Sequence, residues 1–268
     1  MADRPADASR AARALGSDGR RAALRLGVVP EVLHGLLLER SAAAGTTAGT
    51  TAGALDVLDV GGGTGGFAVP LAREGHRVTV VDPSPDALAA LERRAAESGV
   101  PVRAVQGDLA DLLDVAPAGS ADVVLVHGAL EHADDPGAAL ERVAAVLRPG
   151  GVLSVLAAQR LAAVIARALA GHFEEARHAL ADPAGRWGTG DPLPRRFDEA
   201  DLVPLVTAAG FAVREVHGVR VFADLVPGAL VDVEPGAAAA LSALEAAAAT
   251  HPVLAGIAAQ LHVLAVRS

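Results

Sequence analysis

Three aspartates close three short apolar runs: Asp59 in LDVLDV (55–60), Asp82 in RVTVVD (77–82) and Asp108 in VRAVQGD (102–108). Behind the first run, residues 58–66 read LDVGGGTGG, where Gly61, Gly63 and Gly66 satisfy G-x-G-x-x-G and Gly62 stands between them. Glycines here permit a tight turn and remove side chains where a ligand must touch backbone. The helix start behind them favours negative charge. Asp82 lies 21 residues after Gly61, where an acidic side chain takes both hydroxyls of a ribose. Asp108 is placed to accept from an adenine amino group. Asp59, just before the glycines, would repel a pyrophosphate and suits an ammonium. Any one aspartate is as well explained by a turn or a helix cap. Three at consecutive strand ends point to a nucleoside-bearing ligand.

A second group follows the fourth apolar run: His127, Glu131 and His132, types suited to proton transfer or ligand contact. Asp134 and Asp135 before Pro136 read as a turn and helix cap; a Mg²⁺ pair is the minor alternative. Glu174 and His178, one helical turn apart with His172 nearby, read as a solvated face, since a metal site needs more ligands at matched spacing. Arg186, Trp187, Arg195 and Arg196 lie in a Gly/Pro-rich stretch, 181–196. There, arginine could pair with a carboxylate or phosphate and tryptophan could stack on a ring, if the stretch covers a substrate rather than forming a plain surface loop.

The elements that must position these residues are legible in the pattern. Short β-branched runs at 55–60, 77–82, 102–108, 121–128 and 152–159 alternate with helical stretches. Continuous apolar runs bounded by Gly and Asp indicate strands buried on both faces, and the alternation implies parallel βαβ units. We predict a doubly wound α/β fold with a Rossmann-like seven-stranded sheet. Residues 1–53 read as N-terminal helices and a small-residue linker (AGTTAGTTAG), 54–159 as the nucleotide-binding core, 160–197 as a helical and loop insertion, and 198–268 as completion of the sheet. FAVREVHGVRVFAD (211–224) reads as a strand broken at Gly218, and QLHVLAVRS as the last strand.

Bulk composition excludes several classes. The 268 residues carry a net charge of −9, so binding to bulk DNA is not expected. All 23 basic residues are Arg, there is no Cys, and aromatics are five Phe, one Trp and no Tyr. Disulfides and thiolate chemistry are therefore excluded. The charged start and the absence of long apolar runs lead us to expect a cytoplasmic protein without a membrane span.

DVGGGTG, VVDPS, QGDL, ADVVLVHGALEHADDP and LRPGGVL resemble the successive motifs of class I S-adenosylmethionine (SAM)-dependent methyltransferases, whose seven-stranded sheet has an antiparallel last strand. More narrowly, HGALEHADDP, AGHFEEAR, PLPRRF, GVRVFADLVP and the C-terminal segment resemble the bacterial tRNA 5-carboxymethoxyuridine methyltransferases, which esterify a modified wobble uridine. The resemblance implies SAM contacts by Arg21 (or Arg20), Asp59, Gly61, Gly62, Gly63, Asp82, Pro83, Asp108, Leu109 and His127. It implies no metal. Ala157, Ala158 and Gln159 stand where that family has aromatics, and Glu131-His132 where it has Glu-Trp. The substitutions remove base-stacking platforms worth about 1–3 kcal/mol each.

The expected activity is methyl transfer by in-line displacement, to a carboxylate on modified tRNA or to oxygen or nitrogen of a small molecule. The competing readings are a nicotinamide-dependent oxidoreductase, which Asp59 and the LRPGG turn oppose, and a SAM-binding protein without catalysis.

Overall fold

The apolar runs become strands, and all but the third find cover on both faces. In the computed structural model, which describes residues 27–43, 53–233 and 236–268, they are β1 (Asp56–Val60), β2 (Arg77–Asp82), β3 (Val102–Gln106), β4 (Ala121–His127) and β5 (Leu147–Ala158). β6 (Phe211–Val219) and β7 (Gln260–Arg267) complete a seven-stranded sheet of order β3-β2-β1-β4-β5-β7-β6. The first five pair in parallel, and β7 runs antiparallel between β5 and β6. This is the doubly wound sheet expected from the pattern. Arg20, Arg21, the first N-terminal helix and nearly all of the small-residue linker lie outside the described residues.

Alternate residues of each strand feed two cores. On one face Leu58, Val60, Val124 and Val126 meet Leu140, Val143, Leu202 and Val206 of helices α5 (Pro136–Val146) and α8 (Glu199–Ala208). On the other, Val57, Val80 and Leu125 meet Val29, Leu33, Val69 and Leu91 of α1 (Val29–Ala43), α2 (Ala68–Arg73) and α3 (Pro85–Ser98). Short α4 (Leu112–Val115) precedes β4. Helix starts follow capping chemistry: Ser84 Oγ accepts from Ala87 N with Pro85 next, and Asp135 accepts from Ala138 N with Pro136 next.

After β5, helices α6 (Arg160–Leu169) and α7 (Phe173–Ala181) stand outside the sheet, and an isolated bridge joins Gln159 to Phe197. α9 (Gly228–Val233) and α10 (Ala237–Ala248) lie between β6 and β7. No helix among the described residues is long and apolar enough to cross a membrane.

The sixth strand departs from expectation. It runs through Gly218, which pairs with Leu261, and ends at Val219 instead of continuing to 224. Gly218 is required by close approach, since a Cβ there would lie 2.7 Å from Ala255 Cα. The chain turns at Arg220, whose φ of 61° is left-handed. Val221, Phe222 and Ala223 then donate backbone N–H bonds to the buried Glu245 carboxylate at 2.8, 2.7 and 2.6 Å. Strand pairing is replaced there by one acidic side chain from α10.

Candidate functional site

Ligands of open parallel sheets bind beyond the carboxyl ends of the strands, and a cavity of about 490 Å³ lies at that edge. Its wall includes Gly61, Asp82, Pro83, Asp108, Leu109 and His132. A larger hollow of about 590 Å³ opens at the opposite ends of the strands, beside Asp56 and Arg77. There Arg77 and Arg148 already pair with Asp56 at 2.6 and 2.9 Å.

The glycine loop is shaped by the carboxylates around it. Asp82 accepts from Gly63 N through Oδ2 and from Ser84 N through Oδ1, both at 2.9 Å. Asp108 folds its own turn, accepting from Ala110 N at 2.7 Å and Asp111 N at 3.3 Å through Oδ1. Both residues remain on the cavity wall, and buried Leu109 stands beside them. Asp59 lies deeper. It is 1% exposed, and neither of its oxygens has a hydrogen-bond partner among the described residues. A Cβ on Gly62 would sit 2.5 Å from Asp59 Oδ2, so only glycine lets the loop close over that carboxylate. Burial, reinforced by the negative charge of Asp82, pushes the Asp59 carboxyl up to about 7. Asp59 therefore underlies the loop and does not form the cavity wall.

The residues at and after the end of β4 take three different places. His132 is exposed and lines the cavity. Glu131 is 2% exposed; its Oε1 accepts from Ala158 N at 2.6 Å, its Oε2 has no partner among the described residues, and burial raises its pKa. His127 lies off the cavity wall. Its Nε2 is 2.9 Å from Ser154 Oγ, its ring packs edge-on against Phe67 with centroids 4.6 Å apart, and burial lowers its pKa to about 3. A base that weak is poorly matched to neutral-pH proton abstraction.

The insertion holds its own basic and aromatic residues. Arg196 pairs with Asp191 at 2.6 Å, with both side chains nearly buried, and also donates to Gly185 O at 2.9 Å. Arg167 lies 3.9 Å above the Trp187 ring, a cation–π contact. Arg186 is 3.5 Å from Asp182. Arg195 donates to Asp134 O at 3.2 Å, tying the insertion to a loop that lines the first cavity. A second cavity of about 540 Å³ lies beneath α6, with Gln159, Arg167, Trp187, Arg196 and Arg220 on its wall.

With this geometry in view, residues 57–151 match the family described as methyltransferase domain. The chain is 31% identical over 175 residues to tRNA 5-carboxymethoxyuridine methyltransferase of Escherichia coli (strain K12), covering 63% of this chain and 64% of that protein. It is 34% identical over 171 residues to a ubiquinone biosynthesis O-methyltransferase of Azorhizobium caulinodans, covering 61% of each. The chain thus spans less than two thirds of the length of these relatives. Magnesium protoporphyrin IX methyltransferase from Synechocystis PCC 6803, solved with bound SAH, shares the fold with a TM-score of 0.54 at 17% identity, covering 89% of this chain and 83% of that one. A [4+2]-cyclase shares it equally, with a TM-score of 0.54 at 22% identity over 88% of this chain and 79% of that one. The fold of the methyltransferase domain therefore does not by itself decide the reaction.

Sequence reasoning missed Arg167 and Arg220 on the second cavity, the Glu245 carboxylate, and the polar side chains Ser154, His217 and His262 inside β5, β6 and β7. The last three carried a signal: polar residues at inward positions of otherwise apolar strands.

Proposed function

We propose that this chain is a SAM-dependent methyltransferase whose acceptor is a carboxylate, first of all one on a modified tRNA uridine. The observation that carries the reading is the 490 Å³ cavity with Asp82 and Asp108 on its wall. It belongs to a domain of the methyltransferase family and lies beside a glycine loop closed over the unpartnered Asp59. The residues present fit SAM. The volume suits a nucleoside-sized ligand, Asp82 and Asp108 offer acceptors, Leu109 offers an apolar surface, and Asp59 and His127 bury polar atoms that have no hydrogen-bond partner among the described residues. A pyrophosphate would meet the Asp59 and Asp82 charges, which disfavours a nicotinamide-dependent oxidoreductase.

When bound, SAM supplies a methyl group on a sulfonium leaving group; the new carbon–oxygen bond forms as the carbon–sulfur bond breaks. The chain's task is to align the acceptor and exclude water. A carboxylate acceptor is already ionised and needs no base. A hydroxyl acceptor would need one, and exposed His132 on the cavity wall is then the candidate. Arg167 and Arg220 on the second cavity suit a carboxylate-bearing acceptor, with the insertion as its cover. We place the reaction in the cytoplasm, with neither DNA nor a membrane as partner.

A small-molecule acceptor is the second reading, and a specific observation favours it. Ala157, Ala158 and Gln159 offer no aromatic platform, and Trp187 is already engaged by Arg167. The test is transfer of labelled methyl from SAM into tRNA from a host lacking the final wobble methylation, run beside a small-molecule extract. Alkali-labile label in tRNA is expected. Label confined to the extract would move the acceptor to a small molecule.

A further inference from the structure

Gln159 follows the last residue of β5 and lies on the wall of the second cavity, with Arg167, Arg220, Ile257 and Ala259. Glutamine is mostly an exposed residue, yet this one is 2% exposed. Its Nε2 donates to Ala255 O at 2.9 Å. A backbone carbonyl only accepts, so a flipped amide would set two acceptors against each other. That bond therefore fixes which end of the amide is oxygen. Oε1 is buried and has no hydrogen-bond partner among the described residues.

The backbone holds this amide from both sides. Gln159 forms the isolated bridge to Phe197, with Phe197 N donating to Ala158 O at 2.9 Å and Arg160 N to Phe197 O at 3.1 Å. On the other side Gln159 N donates to Ala259 O at 3.1 Å, and Ala259 N donates to Arg220 O at 3.1 Å. One residue thus ties Gln159 to the arginine on the same cavity wall. Arg220 is the one non-glycine residue with positive φ among the described residues. Such a conformation persists only where its surroundings over-determine it, and the three N–H bonds to Glu245 that follow it do so here. A buried acceptor without a donor keeps the cost of its lost hydration until a donor reaches it. The arginines of this cavity suit a carboxylate, but a carboxylate cannot satisfy Oε1, because both groups only accept. The missing partner is an N–H or an O–H.

We propose that Gln159 is a specificity-determining residue of the second cavity: its Oε1 accepts a hydrogen bond from an N–H or O–H of the methyl acceptor, so that acceptor carries a neutral donor besides its carboxylate. This rests on the carboxylate reading of the acceptor and narrows it. The imide N–H of a uracil ring and the hydroxyl of a small hydroxy acid share the required chemistry.

The test is calorimetric titration of the full chain, saturated with S-adenosylhomocysteine, with two pairs of probes. One pair is 5-carboxymethoxyuridine and its N3-methyl derivative; the other is 4-hydroxybenzoate and 4-methoxybenzoate. Within each pair only the first member can donate. Wild type should bind the donor-bearing member of one pair about tenfold more tightly, the worth of one buried hydrogen bond, and the pair that shows the preference identifies the source. Gln159→Leu, of similar size and without an acceptor, should bring that pair to parity. Should this variant fail to fold, the wild-type preference still decides. Parity within both pairs in wild type would mean that water satisfies Oε1, and would overturn the proposal, as would a preference that survives in Gln159→Leu. Methyl transfer from SAM to the same probes is read separately: the tenfold preference without transfer would overturn the carboxylate reading alone, and binding of no probe would overturn both.

Discussion

At the residue scale, the most consequential side chain is Asp59. Its carboxyl is pushed up to about 7 from an ordinary 3.8 by burial and by Asp82. Between those values the folded chain holds a proton that the unfolded chain has released. Stability therefore falls as pH rises through that window, and the full cost is present above it. Comparing wild type with Asp59→Asn removes pH-independent terms. The stability difference between the two should move in favour of the variant by about 4 kcal/mol from pH 3 to pH 8, since each tenfold change in proton affinity is worth about 1.36 kcal/mol. Urea unfolding across that range checks it, and parallel pH profiles would contradict the assignment. Asp59 was legible in the sequence as an acid beside the glycines. Its burial beneath Gly62 was not, because that depends on how the loop closes.

At the scale of elements, Glu245 substitutes for a strand. Its carboxylate accepts from three successive backbone N–H groups after Arg220, and it is 4% exposed. Glu245→Gln would turn an NH₂ group toward one of those donors. The expected loss is about 2–3 kcal/mol in denaturant unfolding, with faster hydrogen exchange at 221–223. An unchanged midpoint would contradict the account. The apolar run VRVF explains why the sequence suggested a longer sixth strand: pattern alone cannot show that a distant acid satisfies the backbone. β1, β2 and β4 were legible because burial on both faces favours apolar, largely β-branched residues, and β3, at the sheet edge, was legible from its place in the alternation. The buried group of His127, Ser154, His262 and His217 was not, since these residues become neighbours only through the strand order β4-β5-β7-β6. Arg196, expected at a substrate, is instead held by Asp191; an Asp five residues away in a loop carries no period that would announce the pair.

At the scale of the whole molecule, both candidate cavities involve segments that follow the carboxyl ends of parallel strands. The first is built from β1 to β4 and the second begins at Ala158 and Gln159 after β5. Glu131, which accepts from Ala158 N, connects the two segments. This division suits a donor held by the methyltransferase domain and an acceptor covered by the insertion. The central claim, that the 490 Å³ cavity holds SAM, is tested most directly by calorimetric titration of the full chain with S-adenosylhomocysteine. NAD serves as the competitor, and a folded Asp82→Ala variant, checked by circular dichroism, serves as the control. The account predicts one S-adenosylhomocysteine bound per chain, none in Asp82→Ala, and no heat from NAD. Saturable binding of NAD with none of S-adenosylhomocysteine would contradict it.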